Sequence, residues 1–386
     1  MNILFYFISQ INPLVGGTER VADTVAHSLR ERGHNVYFMS RIRVPGNYDI
    51  PCFFLPNTDD AIKKNIEFIN NFCQEYSIDV IINEAGNTDD VRLFSKEHIY
   101  GVKIITGLHF GPYQNFKYYY RGTHLPLTWE NPKTTFKNVL KWIKTPFNKR
   151  MHWKNCRARY MYMYQNSDYV VVLSPAYINE YTKIASLKEN SKLISIYNPN
   201  SFAESETVPT KEKMVLSIGR LEFAPKKVEY LLQIWGKVQP KHPDWFLSIC
   251  GEGPAKSYLE NFANKNKIGG IRFEGNVKPE EYYKRASIMC MTSIYEGTPM
   301  VIMEAMQFGS IPMVYDTFAA ARDMIKNGFD GYVIPPFDEK MYAEKLSELI
   351  DNEDLRLIMS KNAIKSSKRF DKDMIIDEWE VLINRR

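Results

Sequence analysis

Two consecutive series of short β-branched runs, each alternating with helical stretches, constrain this 386-residue chain more than any other feature. In the first series residues 3–8 predict a strand, Gly16-Gly17 a turn, and 19–32 a helix that stops at Gly33. Residues 35–39, 78–82, 102–107 and 169–173 read as further strands, with a helix over 61–76. The segment 195–209 is polar, contains Pro199 and Pro209 and has no periodicity, so it predicts an interdomain connector. The pattern then restarts, with strands at 214–218, 245–250, 271–274, 288–292 and 311–315 and helices at 228–238, 255–265, 279–286 and 301–308. Strand, loop and helix in this order predict mostly parallel sheets covered on both faces. The expected fold is α/β, with two doubly wound domains over 1–198 and 199–369. A last helix over 370–386 carries Met374, Ile375, Trp379 and Leu382 at helical spacing.

Length supports two cores. Apolar residues make up 44% and charged residues 25%, ordinary globular values that set disorder aside. Cys52, Cys73, Cys156, Cys250 and Cys290 are odd in number, scattered and never paired as C-x-x-C, the pattern of incidental thiols in a reducing compartment. The first 17 residues have an apolar run without a basic leader and read as a strand and turn, not as a signal peptide. No run approaches the ~18 apolar residues of a spanning helix. A cytoplasmic protein is expected, either free or peripheral on the cytoplasmic face of the inner membrane. Between 133 and 159 stand nine Lys/Arg and no acid, interleaved with Phe136, Trp142, Ile143, Phe147, Met151 and Trp153. That mixture suits an anionic membrane surface or a polyanionic acceptor. No nucleic-acid-binding signature accompanies it, so nucleic acid is not an expected partner.

The chemistry concentrates where parallel strands should end. In 293–312, Glu296 lies in a Gly/Pro loop and Glu304 on the helix that follows, so free N–H groups of the loop, Gly297 and the first helical turn would sit beside carboxylates. Such a site suits a ligand with both phosphates and sugar hydroxyls. Arg220, after Gly219, and Lys226, six residues on, combine a guanidinium fork with an ammonium, a pair suited to a diphosphate leaving group. Lys227 is adjacent, but Lys226 has the better spacing. Gly251-Glu252-Gly253-Pro254 reads equally as a place where a base or ribose approaches the backbone and as a tight turn. Gly16 and Gly17 open a helix and either admit a phosphate or simply turn the chain. They match neither the dinucleotide fingerprint nor a P-loop. His109 follows a strand and could bond a substrate hydroxyl or hold the local backbone. No zinc motif is present, and the acidic pairs Asp59-Asp60 and Asp89-Asp90 read as loop residues, so no metal site is expected.

With Glu296 and Glu304 eight residues apart around the loop–helix junction, the chain resembles glycosyltransferase family 4 from Gly16-Gly17 through Ser217-Ile-Gly-Arg-Leu221 and Gly251-Glu-Gly-Pro254 to the last helix, most closely over 214–335. The resemblance implies a GT-B fold, two Rossmann-like domains facing across a cleft, and retaining transfer of a hexose or N-acetylhexosamine from a nucleotide diphosphate sugar, expected to be a UDP-sugar. The acceptor it implies is a glycan or lipid-linked glycan of bacterial surface-polysaccharide synthesis. It implies that Arg220 and Lys226 hold the diphosphate, Glu304 the ribose and Glu296 the transferred sugar. Gly17 would approach the diphosphate from the first domain, His109 would face the sugar, and Asn276-Val277 would lie by the base. Met300 and Val301 would offer backbone N–H groups, the basic clamp would replace a metal cofactor, and the last helix would return to the first domain. The chain departs from the family pattern at Lys227, usually glycine, at Thr18, often alanine, and at 316–323, usually glycine-rich. A sugar-nucleotide-binding protein without activity, or a hydrolase or epimerase using the same site, is the alternative reading.

Overall fold

A computed structural model describes residues 1–12, 16–44, 48–56, 62–113, 116–118, 132–202 and 209–385. The side chains of 132–135, 137, 138, 141 and 142, the pair Asp59-Asp60 and most of the connector, 203–208, lie outside the described residues. The chain forms two compact units, one of Met1–Tyr113, Met151–Pro199 and Asp371–Arg386, the other of Gln114–Arg150 and Asn200–Phe370.

The first unit begins with β1 (Asn2–Ser9), α1 (Gly17–Glu31), β2 (Asn35–Ile42), β3 (Cys52–Phe54), α2 (Ile62–Glu75), β4 (Val80–Asn83) and β5 (Lys103–Leu108). Next come α3 (Pro132–Asn166), which belongs to this unit from Met151 onward and to the second unit before it, then β6 (Tyr169–Val172), α4 (Pro175–Ala185) and β7 (Leu193–Ser195). The strands form one parallel sheet in the order β3-β2-β1-β4-β5-β6-β7. Continuous apolar strands suit a sheet buried on both faces: Ile3, Leu4, Phe5 and Tyr6 of β1 are all shielded from solvent. Against it α1 buries Val21, Ala22, Val25, Ala26 and Leu29, one stripe of an amphipathic helix.

The second unit contains β8 (Glu212–Ile218), α5 (Val228–Val238), β9 (Phe246–Cys250), α6 (Lys256–Lys265), β10 (Ile271–Gly275), α7 (Pro279–Arg285) and β11 (Ala286–Met291). It continues with α8 (Met300–Gln307), β12 (Ile311–Tyr315), α9 (Ala320–Met324), β13 (Tyr332–Ile334), α10 (Glu339–Asp351) and α11 (Glu353–Ser367). Its parallel sheet runs β10-β9-β8-β11-β12-β13. Both sheets therefore share the doubly wound order, which reverses between β1 and β4 in one and between β8 and β11 in the other. At these reversals neighbouring loops leave the sheet toward opposite faces and open a crevice at the carboxyl ends of the strands.

The last helix, α12 (Lys372–Asn384), packs within the first unit. Asp371 caps it, its carboxylate accepting from the Asp373 and Met374 N–H groups. Arg32 pairs with Asp377 and with Glu380 at 2.9 Å, and Lys103 donates to the Ile383 carbonyl at 2.6 Å. The helix buries Ile375, Ile376, Trp379, Leu382 and Ile383, while Met374, expected on that face, lies mostly in solvent. Sequence periodicity also overlooks β3, β7, β13, α4, α10 and α11. The three strands have three residues each, too few to show alternation. Ser195, expected in the connector, instead ends β7. The 35-residue α3 is hidden by Pro146 in its interior and by a basic character that runs through it.

Candidate active site

In the second unit, the loops after β8 and β11 meet at the reversal of strand order. Lys226 Nζ donates to Glu296 Oε1 at 2.7 Å, with the two side chains 23% and 12% exposed. The Ile294 N–H donates to the Pro225 carbonyl at 2.9 Å and closes the same two loops by their backbones. Lys227 takes another path. It caps α5 at φ 45°, ψ 46°, its side chain buried with Nζ 3.3 Å from Glu229. A left-handed backbone there is the physical reason a glycine would serve at this position. Arg220 is not brought to the Lys226–Glu296 pair. Its side chain is 77% exposed and contacts Glu222 at 3.3 Å. The phenol of Tyr295, which precedes Glu296 in the loop, is pushed up by burial and then by the charges of Glu222 and Glu296.

Glu304 is no solvated helix residue. It is 2% exposed on α8, and the buried Tyr283 hydroxyl on α7 donates to its Oε2 at 2.8 Å. Met300 and Val301 form the first turn of α8 behind Pro299, with no side-chain cap, so the helix N-terminus presents N–H groups at the carboxyl edge of the sheet. Gly297 and the buried Thr298 lie in the loop that delivers them.

The glycines after β8 and β9 hold each other. At φ 135°, Gly251 has no room for a Cβ, which would stand 2.0 Å from the Gly219 carbonyl oxygen; a Cβ on Gly253 would stand 2.3 Å from that of Leu221. Backbone bonds from Gly219 N to Cys250 O at 3.0 Å and from Leu221 N to Glu252 O at 2.8 Å stitch these loops together. Tight backbone packing thus accounts for the glycines. Asn276 and Val277 follow β10, with Asn276 exposed.

The first unit gathers a different set. Gly16 precedes α1 and Gly17 is its first residue, and Glu19 folds back so closely that a Cβ on Gly16 would lie 2.6 Å from its Oε2. That N-terminus already carries an anion of its own. His109, one residue beyond β5, is hydrogen-bonded through Nε2 to Glu84, one residue beyond β4, and both side chains are buried. Burial opposes a charge on this imidazole, but Glu84, by charge and hydrogen bond, and then Glu19 raise its pKa above the ordinary histidine value. Glu84 and Tyr283 are the partners that sequence reading missed. The available signal for Glu84 was its place directly after the apolar run of β4.

Among the described residues, no group of three or more His, Cys, Asp or Glu is placed to hold a metal ion, and no helix is long and apolar enough to cross a membrane. Asp90 of the Asp89-Asp90 pair is buried, accepting from the Tyr6 hydroxyl at 2.8 Å and facing Arg41 at 3.2 Å.

Residues 200–366, which hold both carboxylates, Arg220 and Lys226, match the family described as Glycosyl transferases group 1. The protein is a glycosyltransferase. An uncharacterized glycosyltransferase of Haemophilus influenzae is 25% identical to it over 397 aligned positions, covering 99% of this chain and 100% of that protein. An N-acetyl-D-galactosaminyltransferase of Campylobacter jejuni, whose name specifies a diNAcBac-PP-undecaprenol-linked acceptor, is 30% identical over 49% of this chain and 53% of its own length. The glycosyltransferase has the fold of Anabaena HepE, solved with UDP and glucose: the TM-score is 0.71, with 15% identity and all of both chains covered. Two Rossmann-like units make its fold class that of the GT-B enzymes.

Proposed function

We propose that this glycosyltransferase moves a hexose or N-acetylhexosamine from a UDP-sugar, with retention of anomeric configuration, to a lipid-linked glycan of cell-surface polysaccharide synthesis. The observation that carries the reading is the Lys226–Glu296 pair at the reversal of strand order in the second sheet. Along that carboxyl edge the loops follow in the order Asn276 after β10, Gly251 after β9, Gly219 after β8 and Glu296 after β11. Three strand spacings of about 4.8 Å make a track of roughly 14 Å. Such a track is long enough for a base by Asn276-Val277, a diphosphate by Lys226 and the first turn of α8, and a sugar by Glu296. Arg220, exposed and paired with Glu222, closes on the diphosphate when it arrives, while Glu304 receives the ribose hydroxyls through the carboxylate that Tyr283 steadies. In the first unit Gly16 and Gly17 contribute backbone N–H groups and His109 bonds a sugar hydroxyl. As the diphosphate leaves, its growing charge is met by Lys226 and Arg220 without a metal ion. Glu296 is held by Lys226, so front-face attack within a close donor–acceptor pair, and not a covalent glycosyl-enzyme, fits retention.

The lipid-linked acceptor of the Campylobacter enzyme and the UDP bound to Anabaena HepE support this reading of acceptor and donor. A peripheral position on an anionic membrane is part of the proposal. Phe136, Leu140, Ile143, Phe147 and Met151 are exposed on α3 at helical spacing, among the exposed Lys144, Arg150, Lys154 and Arg157. Trp153, expected to supply contact there, is half-buried against Tyr113, and Arg159 is drawn to the Asn87 carbonyl at 2.6 Å; the side chain of Trp142 is outside the described residues.

The test is incubation with a panel of UDP-, GDP- and dTDP-sugars, with and without an undecaprenyl-diphosphate-linked saccharide. Release of UDP together with an extended, α-configured lipid product is expected. Free sugar without acceptor dependence identifies a hydrolase, a converted donor sugar without nucleotide release an epimerase, and donor binding without product a silent binder.

A further inference from the structure

We infer that Glu84 is a positioning residue for sugar transfer, holding His109 by Nε2 so that Nδ1 is the ring nitrogen offered to substrate. This inference rests on the reading of His109 as a sugar-hydroxyl ligand. The arrangement is built by the sheet. β4 and β5 pair in parallel with Asn83 opposite Thr106, so Glu84 leaves β4 beside Gly107, and His109 leaves β5 two residues later. The Glu84 N–H is bonded to the Tyr6 carbonyl at 3.0 Å, which fixes the backbone from which the carboxylate reaches.

Gly107 makes the reach possible. A Cβ there would lie 2.3 Å from Glu84 Oε2, within the space the carboxylate occupies, and 3.4 Å from His109 Nε2. Gly107 is itself pressed by Gly86, whose Cβ would meet the Gly107 carbonyl oxygen at 2.2 Å. Glu84 and Gly86, in the loop after β4, and Gly107, in β5, are therefore mutually fitted around one imidazole. Val21 and Val25 of α1, Val171 of β6, Leu173 and Trp379 of α12 line the same small cavity, with Tyr197 and Asn198 as its other polar side chains. Charge reaches the ring from Glu84 after β4 and from Glu19 on α1. A buried imidazole hydrogen-bonded to a carboxylate at one nitrogen has that nitrogen protonated and its ring plane fixed, and the other nitrogen alone exchanges partners. Among the described residues none is hydrogen-bonded to Nδ1 of His109. Neutral, it accepts from a sugar hydroxyl; protonated, it donates to one.

The decisive variant is Glu84→Gln, which keeps the size of the side chain and removes its charge. With UDP affinity unchanged, kcat is expected to fall about 10- to 100-fold, the scale seen when a partner orienting a functional histidine is lost. The pH limb set by His109 should move to lower pH, and Glu84→Asp should restore part of the rate. A folded Glu84→Gln enzyme with normal kcat and an unmoved pH limb, in a protein where His109→Ala abolishes transfer, overturns the positioning role. If His109→Ala itself transfers normally, the functional reading of His109 fails instead, and the inference falls with it. Nitrogen-15 spectra of the wild-type histidines keep the test open should Glu84→Gln not fold. Donor and acceptor analogue together should shift His109 Nδ1 and leave the Nε2 proton in place. Loss of the Nε2 proton signal, or no shift at Nδ1, counts against the inference.

Discussion

Lys226 and Glu296 stand 70 residues apart in sequence and form one 2.7 Å ion pair where the order of the second sheet reverses. Each charge satisfies the other, which keeps both side chains in place.

Lys226→Ala should therefore cost on the order of 10²–10³ in kcat, the usual loss when one group facing developing negative charge is removed. Glu296→Gln should lower transfer more than it lowers UDP affinity, because its proposed contact is with the sugar. Steady-state kinetics beside calorimetric UDP titration separate the two, and identical losses in both variants would count against the division.

Glu304 is expected to act on nucleotide affinity, and Tyr283 through it. Glu304→Gln should weaken UDP binding with little change in kcat at saturation. Tyr283→Phe strips a hydrogen bond from a buried carboxylate and should destabilise the second unit by about 1–3 kcal/mol while weakening UDP. Urea unfolding and UDP titration on the same samples check both effects; a stable Tyr283→Phe protein with wild-type UDP affinity argues against the coupling.

The raised pKa of His109 fixes the sign of a pH effect on stability. A histidine that gains a carboxylate on folding stabilises the native state fully below its unfolded pKa of about 6.5 and loses that contribution as pH rises through the higher folded value. The melting-temperature gap between wild type and His109→Gln should be widest below about pH 6.5 and narrow above it. A gap that widens toward high pH contradicts the assignment.

Vesicle binding should depend on both halves of the α3 surface. Sedimentation with phosphatidylglycerol vesicles should fall as salt rises, and fall again when Lys144, Arg150, Lys154 and Arg157 become glutamine, since each basic residue near such a surface contributes about 1 kcal/mol. Replacing Ile143 and Phe147 by serine should weaken binding at low salt as well. Equal binding to neutral vesicles removes the electrostatic part of the proposal.

Transfer is expected to persist in excess chelator, with Lys226, Arg220 and the N-terminus of α8 meeting the charge of the leaving diphosphate. Loss of turnover on chelation and its return with Mg²⁺ or Mn²⁺ would reverse this expectation.

The alternation of apolar runs with amphipathic stretches was enough to determine two doubly wound α/β units, because a parallel strand buried on both faces must be apolar along its length and its crossover must be a helix. It also marked Lys226, Glu296, Glu304 and His109 as candidates, since ligand sites gather beyond the carboxyl ends of such strands. Which of these groups meet was decided only by tertiary structure. Pairing across a sheet joins Lys226 to Glu296 over 70 residues and Glu84 to His109 over 25, and no local periodicity encodes those distances. Arg220 and Lys226, close in sequence, were separated by the turn that carries them. Gly107 read as the end of a strand and Gly251 as part of a turn until neighbouring groups were seen to fill the space a side chain would need. Periodicity records which face of an element is buried, whereas partner choice follows from strand order and register, which become fixed when the whole sheet assembles.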